Sequence, residues 1–262
     1  MRGRLICGPC AFTIHNMSIQ CIYGAGAANN AGIACPVAPV NCYMALPFTC
    51  SVWVRLDRDL VAGESGYVVR AASLVAPWNC FYIVCLYNAG TNNRIECYVV
   101  TTGGVYNASQ STPISSGVWH HIVFLVTSPG KVLNHYIDNV MYSWGVVTAD
   151  IYQPGANGVF VIGSNALADA DSFKGRIEDL RYYNRELSVG EISTLYYSRG
   201  HDPVISGLRS RWMIRERGPG QAIGGASTVK DTGQLGNHGA KTGAAAPTYD
   251  SGILSFRRPY NK

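Results

Sequence analysis

The stretch Phe48-Thr-Cys-Ser-Val-Trp-Val-Arg-Leu56 decides the fold class, because apolar side chains occupy every even-numbered position along it. Successive side chains of a β-strand point to opposite faces of a sheet. The even-numbered positions are therefore predicted to face a core, and the odd-numbered positions are predicted to point away from it. The stretch predicts a half-buried β-strand.

Further strands are predicted after this one, each rich in β-branched and aromatic residues and bounded by turn residues. They cover residues 66–74, 79–87, 94–101, 118–126, 132–137, 140–145, 159–163 and 173–183. Asp138-Asn139 is predicted to form a two-residue hairpin turn between two of them, since Asp and Asn tolerate a positive φ. Short strands at this regular spacing are typical of an antiparallel sandwich.

One helix is predicted behind the last of these strands. Ser188 and Glu191 have the spacing of a capping box, and an apolar stripe of Val189, Ile192, Leu195 and Tyr196 follows before Gly200. A short helix thus closes a domain that is otherwise all-β.

Composition supports one large β domain with additional segments at both ends. Of 262 residues, 47% are apolar and only 14% are charged, with 29 Gly and 16 Tyr, which favours strands and turns over helices. We predict an N-terminal arm with the first strand or strands at 1–45, the main domain at 46–200, and a Gly- and Ala-rich extension at 201–262.

The positive charge belongs to the C-terminal part of the chain. Residues 208–262 hold nine Lys and Arg against three Asp and Glu, so their net charge is +6, whereas the rest of the chain is net −1. Such a segment suits an acidic partner surface or simple solvation. No stacking platform or recognition helix accompanies the charge, which argues against nucleic acid as the partner.

All nine cysteines lie between Cys7 and Cys97. An odd number, confined to one part of the chain, favours reduced thiols and folding in a cytosol. Cys7-Gly-Pro-Cys10 matches a thioredoxin-type redox tetrapeptide, but no βαβ pattern follows it. A zinc site from Cys7, Cys10, His15 and Cys21 is conceivable from the ligand types alone.

The sequence has no membrane signal. The first residues lack the apolar core and the cleavage site of a signal peptide. No apolar run approaches the roughly 20 residues that a membrane helix needs. We therefore predict that the protein does not enter a membrane.

Three blocks carry a family pattern, namely Gly117-Val-Trp-His-His-Ile-Val123, Tyr136-Ile-Asp-Asn139 and Phe173-Lys-Gly-Arg-Ile-Glu-Asp-Leu-Arg-Tyr-Tyr-Asn-Arg-Glu-Leu-Ser-Val-Gly-Glu191. They resemble the laminin-G-like branch of the concanavalin A-like superfamily, in order and spacing, across about 46–200. The resemblance implies an all-β fold, an antiparallel jelly-roll sandwich with one short C-terminal helix and extended terminal arms. His120 and His121 alternate across a strand and are predicted to be structural.

The tail contains a second resemblance to the same family. Leu208-Arg-Ser-Arg-Trp212, Val229-Lys-Asp231 and Gly236-Asn-His-Gly239 look like the segment that normally precedes such a domain. Their position behind the domain implies a permuted arrangement or a strand that pairs with a neighbouring subunit. We favour packing onto the chain's own domain.

Hydrolysis is not predicted, although the superfamily has enzymatic members. Its glucanases place their carboxylates on one strand as Glu-x-Asp-x-x-Glu, and no such run exists here. Glu178 and Asp179 are adjacent and are expected to point to opposite faces, while Glu64 and Glu96 are isolated.

Calcium and sugar are the ligands that the resemblance implies. Asp138, Asp169 and Asp171 are the candidate calcium ligands at the sandwich rim, although aspartates there also serve as turn caps. Exposed aromatic and amide groups recognise sugars. The candidate sugar-contacting residues, all expected in loops, are Trp78, Asn79, Asn92 and Asn93, and Trp53 and Trp144 could present rings on a sheet face.

The sequence thus predicts a non-catalytic structural or interaction protein. Its overall pattern, with Phe256-Arg-Arg-Pro259 near the end, is similar to laminin-G-like proteins of environmental bacteria and tailed phages. We predict a virion surface component, such as a capsid decoration or fibre subunit, that is assembled in the host cytoplasm and contacts itself or neighbouring subunits through its terminal arms. The alternative is an extracellular or cell-surface carbohydrate-binding module.

Overall fold

The computed structural model describes residues 17–20, 32–36, 46–73, 79–90, 92–102, 104–107, 112–152, 158–165, 171–214, 221–224, 229–242 and 247–251. The first strands are β1 (Met17–Gln20), β2 (Gly32–Pro36), β3 (Phe48–Leu56), β4 (Ser65–Ser73), β5 (Asn79–Asn88), β6 (Asn92–Thr101), β7 (Gly104–Asn107) and β8 (Thr112–Pro113). Next come β9 (Trp119–Val126), β10 (Val132–Ile137), β11 (Val140–Val146), β12 (Gly158–Ile162) and β13 (Gly175–Tyr183). Helix α1 (Val189–Ser198) precedes β14 (Leu208–Trp212), β15 (Ala240–Thr242) and β16 (Thr248–Ser251).

The strands form two antiparallel sheets that pack as a jelly-roll sandwich, as predicted. Sheet A has the order β11-β10-β9-β3-β13-β1-β16, with β14 also paired to β13. Sheet B has the order β15-β2-β12-β4-β5-β6-β7, with β8 also paired to β6. The nine predicted strands are present, and those at 48–56 and 132–137 have the predicted bounds.

One apolar core fills the space between the sheets. The rings of Phe48 in β3 and Phe81 in β5 lie 5.3 Å apart between centroids, and Phe48 also contacts Phe124 at 5.8 Å and Tyr182 at 5.7 Å. All four side chains are almost completely buried. Each aromatic pair of this kind adds about 0.5–1.5 kcal/mol to the burial of its apolar surface.

Local signals in the sequence are confirmed at the turn and at the helix. Asp138 and Asn139 have φ values of 51° and 68°, which a two-residue hairpin turn requires. The Ser188 hydroxyl accepts a hydrogen bond from the Glu191 backbone N–H, and the Glu191 carboxylate accepts one from the Ser188 N–H. Helix α1 therefore begins where the capping box predicts.

The odd-numbered side of β3 is also buried, so β3 is not the half-buried strand that its alternation predicts. Thr49, Ser51 and Trp53 are at most 3% exposed. Helix α1 packs over this outer side of sheet A, where Ile192 and Leu195 join an apolar cluster with residues of β9, β10 and β13. The sandwich therefore has a covered outer face on sheet A.

The described parts of both terminal segments contribute strands to the sandwich. From the C-terminal extension, β14 pairs with β13, β15 with β2, and β16 with β1. Trp212 is fully buried and stacks on Phe160 at 5.1 Å between ring centroids. Its indole N–H donates to the Asn237 carbonyl oxygen at 2.9 Å. These residues pack onto the chain's own sheets.

The five described cysteines are buried and form no disulfide, namely Cys35, Cys50, Cys80, Cys85 and Cys97. Burial raises the pKa of the Cys85 thiol to about 12, so this side chain behaves as a small apolar group at neutral pH. Cys7, Cys10, His15 and Cys21 lie outside the described residues, and the redox and zinc hypotheses lie there with them. Within the described part of the chain, no helix is long and apolar enough to cross a membrane.

Candidate functional site on the outer face of sheet B

Sheet B carries a group of aromatic and charged side chains on the face that points away from the core. Arg70 of β4 lies opposite Tyr82 of β5, and Tyr82 lies opposite Tyr98 of β6. The residues that alternate with them belong to the core cluster. We define the tyrosine face as Tyr67, Arg70, Tyr82, Glu96 and Tyr98.

A bulge in β4 brings Tyr67 onto this face. The register of β4 against β5 shifts between Tyr67 and Val69, and both Val68 and Val69 point into the core. Tyr67 and Arg70 therefore lie on the same outer side, although their spacing of three would separate them in a regular strand. The Arg70 guanidinium carbon lies 5.4 Å from the centre of the Tyr67 ring.

The three tyrosine rings contact one another. Tyr82 and Tyr98 stack with centroids 4.6 Å apart and an angle of 20° between their planes. Tyr67 meets Tyr82 edge-on, at 5.4 Å and 65°. All three side chains are half-buried, so their outer edges remain accessible. The result is a rigid aromatic ridge across three strands, since each ring restricts the rotamers of the next.

Glu96 lies beside the ridge and is held by two neighbours. Its carboxylate accepts a hydrogen bond from the Tyr98 hydroxyl and lies 3.1 Å from the Arg94 guanidinium. Burial raises the pKa of Tyr98, and the hydrogen bond to Glu96 raises it further. Burial also raises the pKa of Tyr82. Both tyrosines therefore keep their hydroxyl protons at neutral pH, and Tyr98 donates its proton to Glu96.

Arg70 is oriented by a chain of polar contacts. Its guanidinium donates to the Asn165 side-chain oxygen, and the Asn165 amide donates to Asp171 at 3.5 Å. The Ser65 hydroxyl donates to the other Asp171 oxygen at 2.7 Å. Burial lowers the pKa of Arg70, while the negative charge of Asp171 acts in the opposite direction. Asp171 therefore helps to position the arginine.

The predicted sugar-contacting amide of Asn93 is used inside the protein. The side chain is 1% exposed, accepts a hydrogen bond from the Leu60 N–H at 2.8 Å and donates to Asp59 at 2.8 Å. It also donates to the Ile114 carbonyl oxygen at 3.3 Å. Asn93 joins two loops to β6, and its amide is not presented to a ligand, contrary to the prediction.

Two other predicted sugar-contacting residues, Asn79 and Asn92, lie at opposite ends of neighbouring strands. Asn79 is the first residue of β5, whereas Asn92 pairs with Asn88 at that strand's other end. At about 3.3 Å per residue, these ends lie roughly 30 Å apart. Both residues lie in strands rather than in loops, and their roles stay predictions. Trp78 lies outside the described residues.

Two of the three predicted calcium ligands, Asp138 and Asp171, lie beside different sheets. Asp138 lies in the hairpin turn of sheet A, where its carboxylate accepts a hydrogen bond from the His121 N–H at 2.8 Å and lies 2.7 Å from His120 Nδ1. Asp171 lies beside β4 of sheet B. Among the residues that the structure describes, no three His, Cys, Asp or Glu side chains are grouped to hold a metal ion. Asp169, the third predicted ligand, lies outside the described residues, so calcium binding stays a prediction.

Trp53 and the two histidines are structural. Trp53 is 3% exposed and lies between the rings of His121, at 4.8 Å, and Tyr196, at 5.8 Å. It therefore does not present its ring on a sheet face, because α1 covers it. The two histidines have different partners, since Ser51 Oγ lies 2.8 Å from His121 Nε2. The side chain of Trp144 lies outside the described residues.

Asp179 belongs to a buried ionic network that the sequence did not predict. Arg181 lies 2.6 Å from Asp179 and 2.7 Å from Asp202, and Arg211 lies 2.7 Å from Asp179. Burial alone would raise the pKa of Asp179, but the two guanidinium groups outweigh it and hold the pKa well below its usual range. Asp179 is thus an ionised carboxylate that supports the fold through its ion pairs.

The comparisons with known proteins agree with this architecture. A laminin-G-type family model, described as the concanavalin A-like lectin/glucanases superfamily, matches residues 28–193, more than half of the chain. The chain belongs to the concanavalin A-like lectin/glucanase superfamily. No curated protein sequence matches it.

Solved structures share the superfamily fold with this chain. A putative carbohydrate-binding protein from Bacteroides ovatus ATCC 8483 has a TM-score of 0.58 at 16% identity, over 90% of this chain and 60% of that one. A heptameric SAP-like pentraxin from Limulus polyphemus has a TM-score of 0.53 at 15% identity, over 71% and 84% of the two chains. Tailspike protein 2 of Escherichia coli O157:H7 bacteriophage CAB120 has a TM-score of 0.51 at 13% identity, over 73% of this chain and 26% of the tailspike.

Proposed function

We propose that this chain is a non-catalytic lectin-type module that binds a glycan on the tyrosine face. The observation that carries the proposal is the convergence of three tyrosines, Arg70 and Glu96 on one outer sheet face. The half-buried tyrosines present apolar ring edges and hydroxyl groups that match the alternating C–H and O–H groups of a sugar, whereas Arg70 and Glu96, each 3% exposed, hold the rings in place.

Membership of the superfamily supports this reading. The fold is shared with a putative carbohydrate-binding protein. The tyrosine face is also preorganised, because the ring contacts and the Asn165 contact hold Tyr82 and Arg70 before a ligand arrives. Preorganised side chains lose little entropy on binding, which favours affinity for a flexible, polar ligand.

Binding without hydrolysis is the second part of the proposal. A glycosidase needs two carboxyl groups at about 5–10 Å, one of which transfers a proton. Glu96 is held by Arg94 and Tyr98, and the buried Asp179 is neutralised by two arginines. Both carboxylates are therefore ion-paired groups that support the fold.

Glycan-array screening of the full chain, followed by calorimetric titration of the strongest binder, tests the proposal. Tyr82→Ala should weaken binding by about tenfold or more, equivalent to about 1.4 kcal/mol. Tyr197→Ala is the matched control, because Tyr197 is 67% exposed on α1, away from sheet B. The proposal is wrong if no glycan binds, or if Tyr82→Ala and Tyr197→Ala bind equally well.

A virion surface location is the finer proposal for the same module. It is supported by the fold shared with a phage tailspike and by the buried free thiols, which are typical of chains folded in a reducing compartment. Mass spectrometry of purified particles from cells that make this chain should find it in stoichiometric amount. Its recovery only in the particle-free fraction would exclude this location and leave the glycan proposal untouched.

A further inference from the structure

The β10–β11 hairpin leaves an apolar surface exposed at one edge of sheet A. Val140 is 54% exposed, Met141 53%, Tyr142 37% and Val146 56%. Strand β11 is the last strand in the order of sheet A, and no described strand pairs with its outer side. A long, apolar edge strand is a ready template for pairing with another chain.

Part of this exposed surface belongs to the core-facing side of sheet A. Val140 pairs with Ile137, a member of the core cluster, so Val140 lies on the same face. Tyr142 lies two residues further on and therefore also on this face. Both remain exposed, which indicates that sheet A extends past the described strands of sheet B at this edge.

The backbone of β11 also has hydrogen-bonding groups directed outward. Ile137 and Val140 flank a two-residue turn and so form a hydrogen-bonded pair. The backbone groups of Val140 and Tyr142 therefore point toward β10, while those of Met141 and Ser143 point away from it. These outward groups alternate as an additional antiparallel strand requires over 140–144, before the register shift at Gly145.

We propose that β11 pairs with β11 of a second copy of this chain, about a two-fold axis, so that sheet A continues across two subunits. The strand sequence Val-Met-Tyr-Ser-Trp-Gly-Val contains no charge and no proline. Antiparallel pairing with itself therefore places no like charges opposite each other. A two-fold interface brings the same patch of both subunits together, so the patch must be able to contact its own copy. An uncharged strand can do so without electrostatic repulsion.

Two other edge strands are poorer candidates because they carry charges, and β7 at the remaining edge of sheet B has only four residues. Strand β16 at the far edge of sheet A contains Asp250, and β15 at one edge of sheet B contains Lys241. Self-pairing there would bring like charges close together, which is how natural proteins protect sheet edges. The proposal also differs from association through the terminal segments, because their described strands already pair within the chain.

Sedimentation analysis of the full chain over a range of concentrations tests the dimer. Met141→Pro removes an outward N–H and the side-chain hydrogen bond from the Tyr136 hydroxyl, but no backbone hydrogen bond to β10, so the variant should keep its circular dichroism spectrum and sediment as one chain. Val146→Lys should also give a monomer, because each copy would bring a charged side chain into an uncharged interface. Val61→Lys is the matched control, since Val61 is 58% exposed in the β3–β4 loop, and it should leave the dimer intact.

Two results would overturn the proposal. One is a wild-type chain that stays monomeric up to its solubility limit. The other is a dimer that persists in both Met141→Pro and Val146→Lys, which would place the interface elsewhere. If Met141→Pro does not fold, Val146→Lys and an oxidised Ser143→Cys crosslink decide the question. None of these readouts depends on glycan binding, so the two proposals fail separately.

Discussion

The ring of Tyr82 stacks on the ring of Tyr98, with centroids 4.6 Å apart, because the register of β5 on β6 places the two residues directly opposite each other. The contact joins two neighbouring strands on the outer side of sheet B. It also connects the ridge to Glu96, since the Tyr98 hydroxyl donates to that carboxylate. Tyr98 thus makes both a ring-stacking contact with Tyr82 and a hydrogen bond to Glu96.

The Tyr82–Tyr98 contact should be measurable as a coupling energy. In a double-mutant cycle with Tyr82→Leu and Tyr98→Leu, the free energy of unfolding should show a coupling of about 0.5–1.5 kcal/mol. Urea denaturation of the four proteins measures it. The same cycle with Tyr82 and the distant Tyr197 should give no coupling. Equal values in the two cycles would show that the stacked pair contributes nothing specific.

The buried ring of His121 should make stability fall in mild acid. Burial, reinforced by the charge of Arg181, lowers the pKa of His121 to about 4. The unfolded chain takes up a proton below about pH 6.5, whereas the folded chain resists it, so stability is complete above about pH 6.5 and declines toward about pH 4. The loss should approach about 3 kcal/mol. His121→Gln should flatten this part of the stability profile, and an unchanged profile would contradict the assignment.

Removing the charge of Asp179 should destabilise the fold strongly. Asp179→Asn leaves the buried Arg181 with one carboxylate partner, and it leaves Arg211 with the Gly200 carbonyl oxygen but without its ion pair. Breaking a buried ion pair on one side costs about 3–5 kcal/mol. Chemical denaturation measures it. Asp150→Asn is the control, because Asp150 forms its ion pair with Lys131 in solvent, and it should change stability little. Similar effects of the two variants would refute the network's role.

Asn93 should matter for stability and not for ligand binding. Asn93→Ala leaves the Leu60 N–H without its acceptor and removes two donated hydrogen bonds, which should cost about 2–4 kcal/mol. Thermal or urea unfolding tests this, with Asn184→Ala at an exposed position as the comparison. The opposite result would be a folded Asn93→Ala protein with unchanged stability and no glycan binding. It would show that Asn93 contacts the ligand.

The sequence alone predicts only part of the tyrosine face. Arg94-Ile-Glu-Cys-Tyr-Val99 alternates strictly, which already places Arg94, Glu96 and Tyr98 on one side of a strand. No local signal sets the register that aligns Tyr82 with Tyr98, and none marks the bulge that turns Tyr67 outward. Register depends on how whole strands bury their apolar sides together.

The sequence pattern also does not predict the last two short strands of the C-terminal extension. Strand β15 has three residues and β16 has four, too few to show a period, and each is ordered by pairing with a distant strand. The exposed β11 edge reads as an ordinary strand in the sequence, because alternation does not distinguish an edge from a central position.

The sequence by itself determined the features that depend on neighbouring residues. The alternation of Phe48–Leu56, the Asp138-Asn139 turn and the Ser188 capping box involve contacts within a few residues, so their pattern is visible in the chain. The tertiary structure alone decided that α1 covers Trp53, that Asn93 is buried and that Tyr82 meets Tyr98. The physical reason is that these outcomes depend on which distant surfaces exclude water together, a property of the whole packed core.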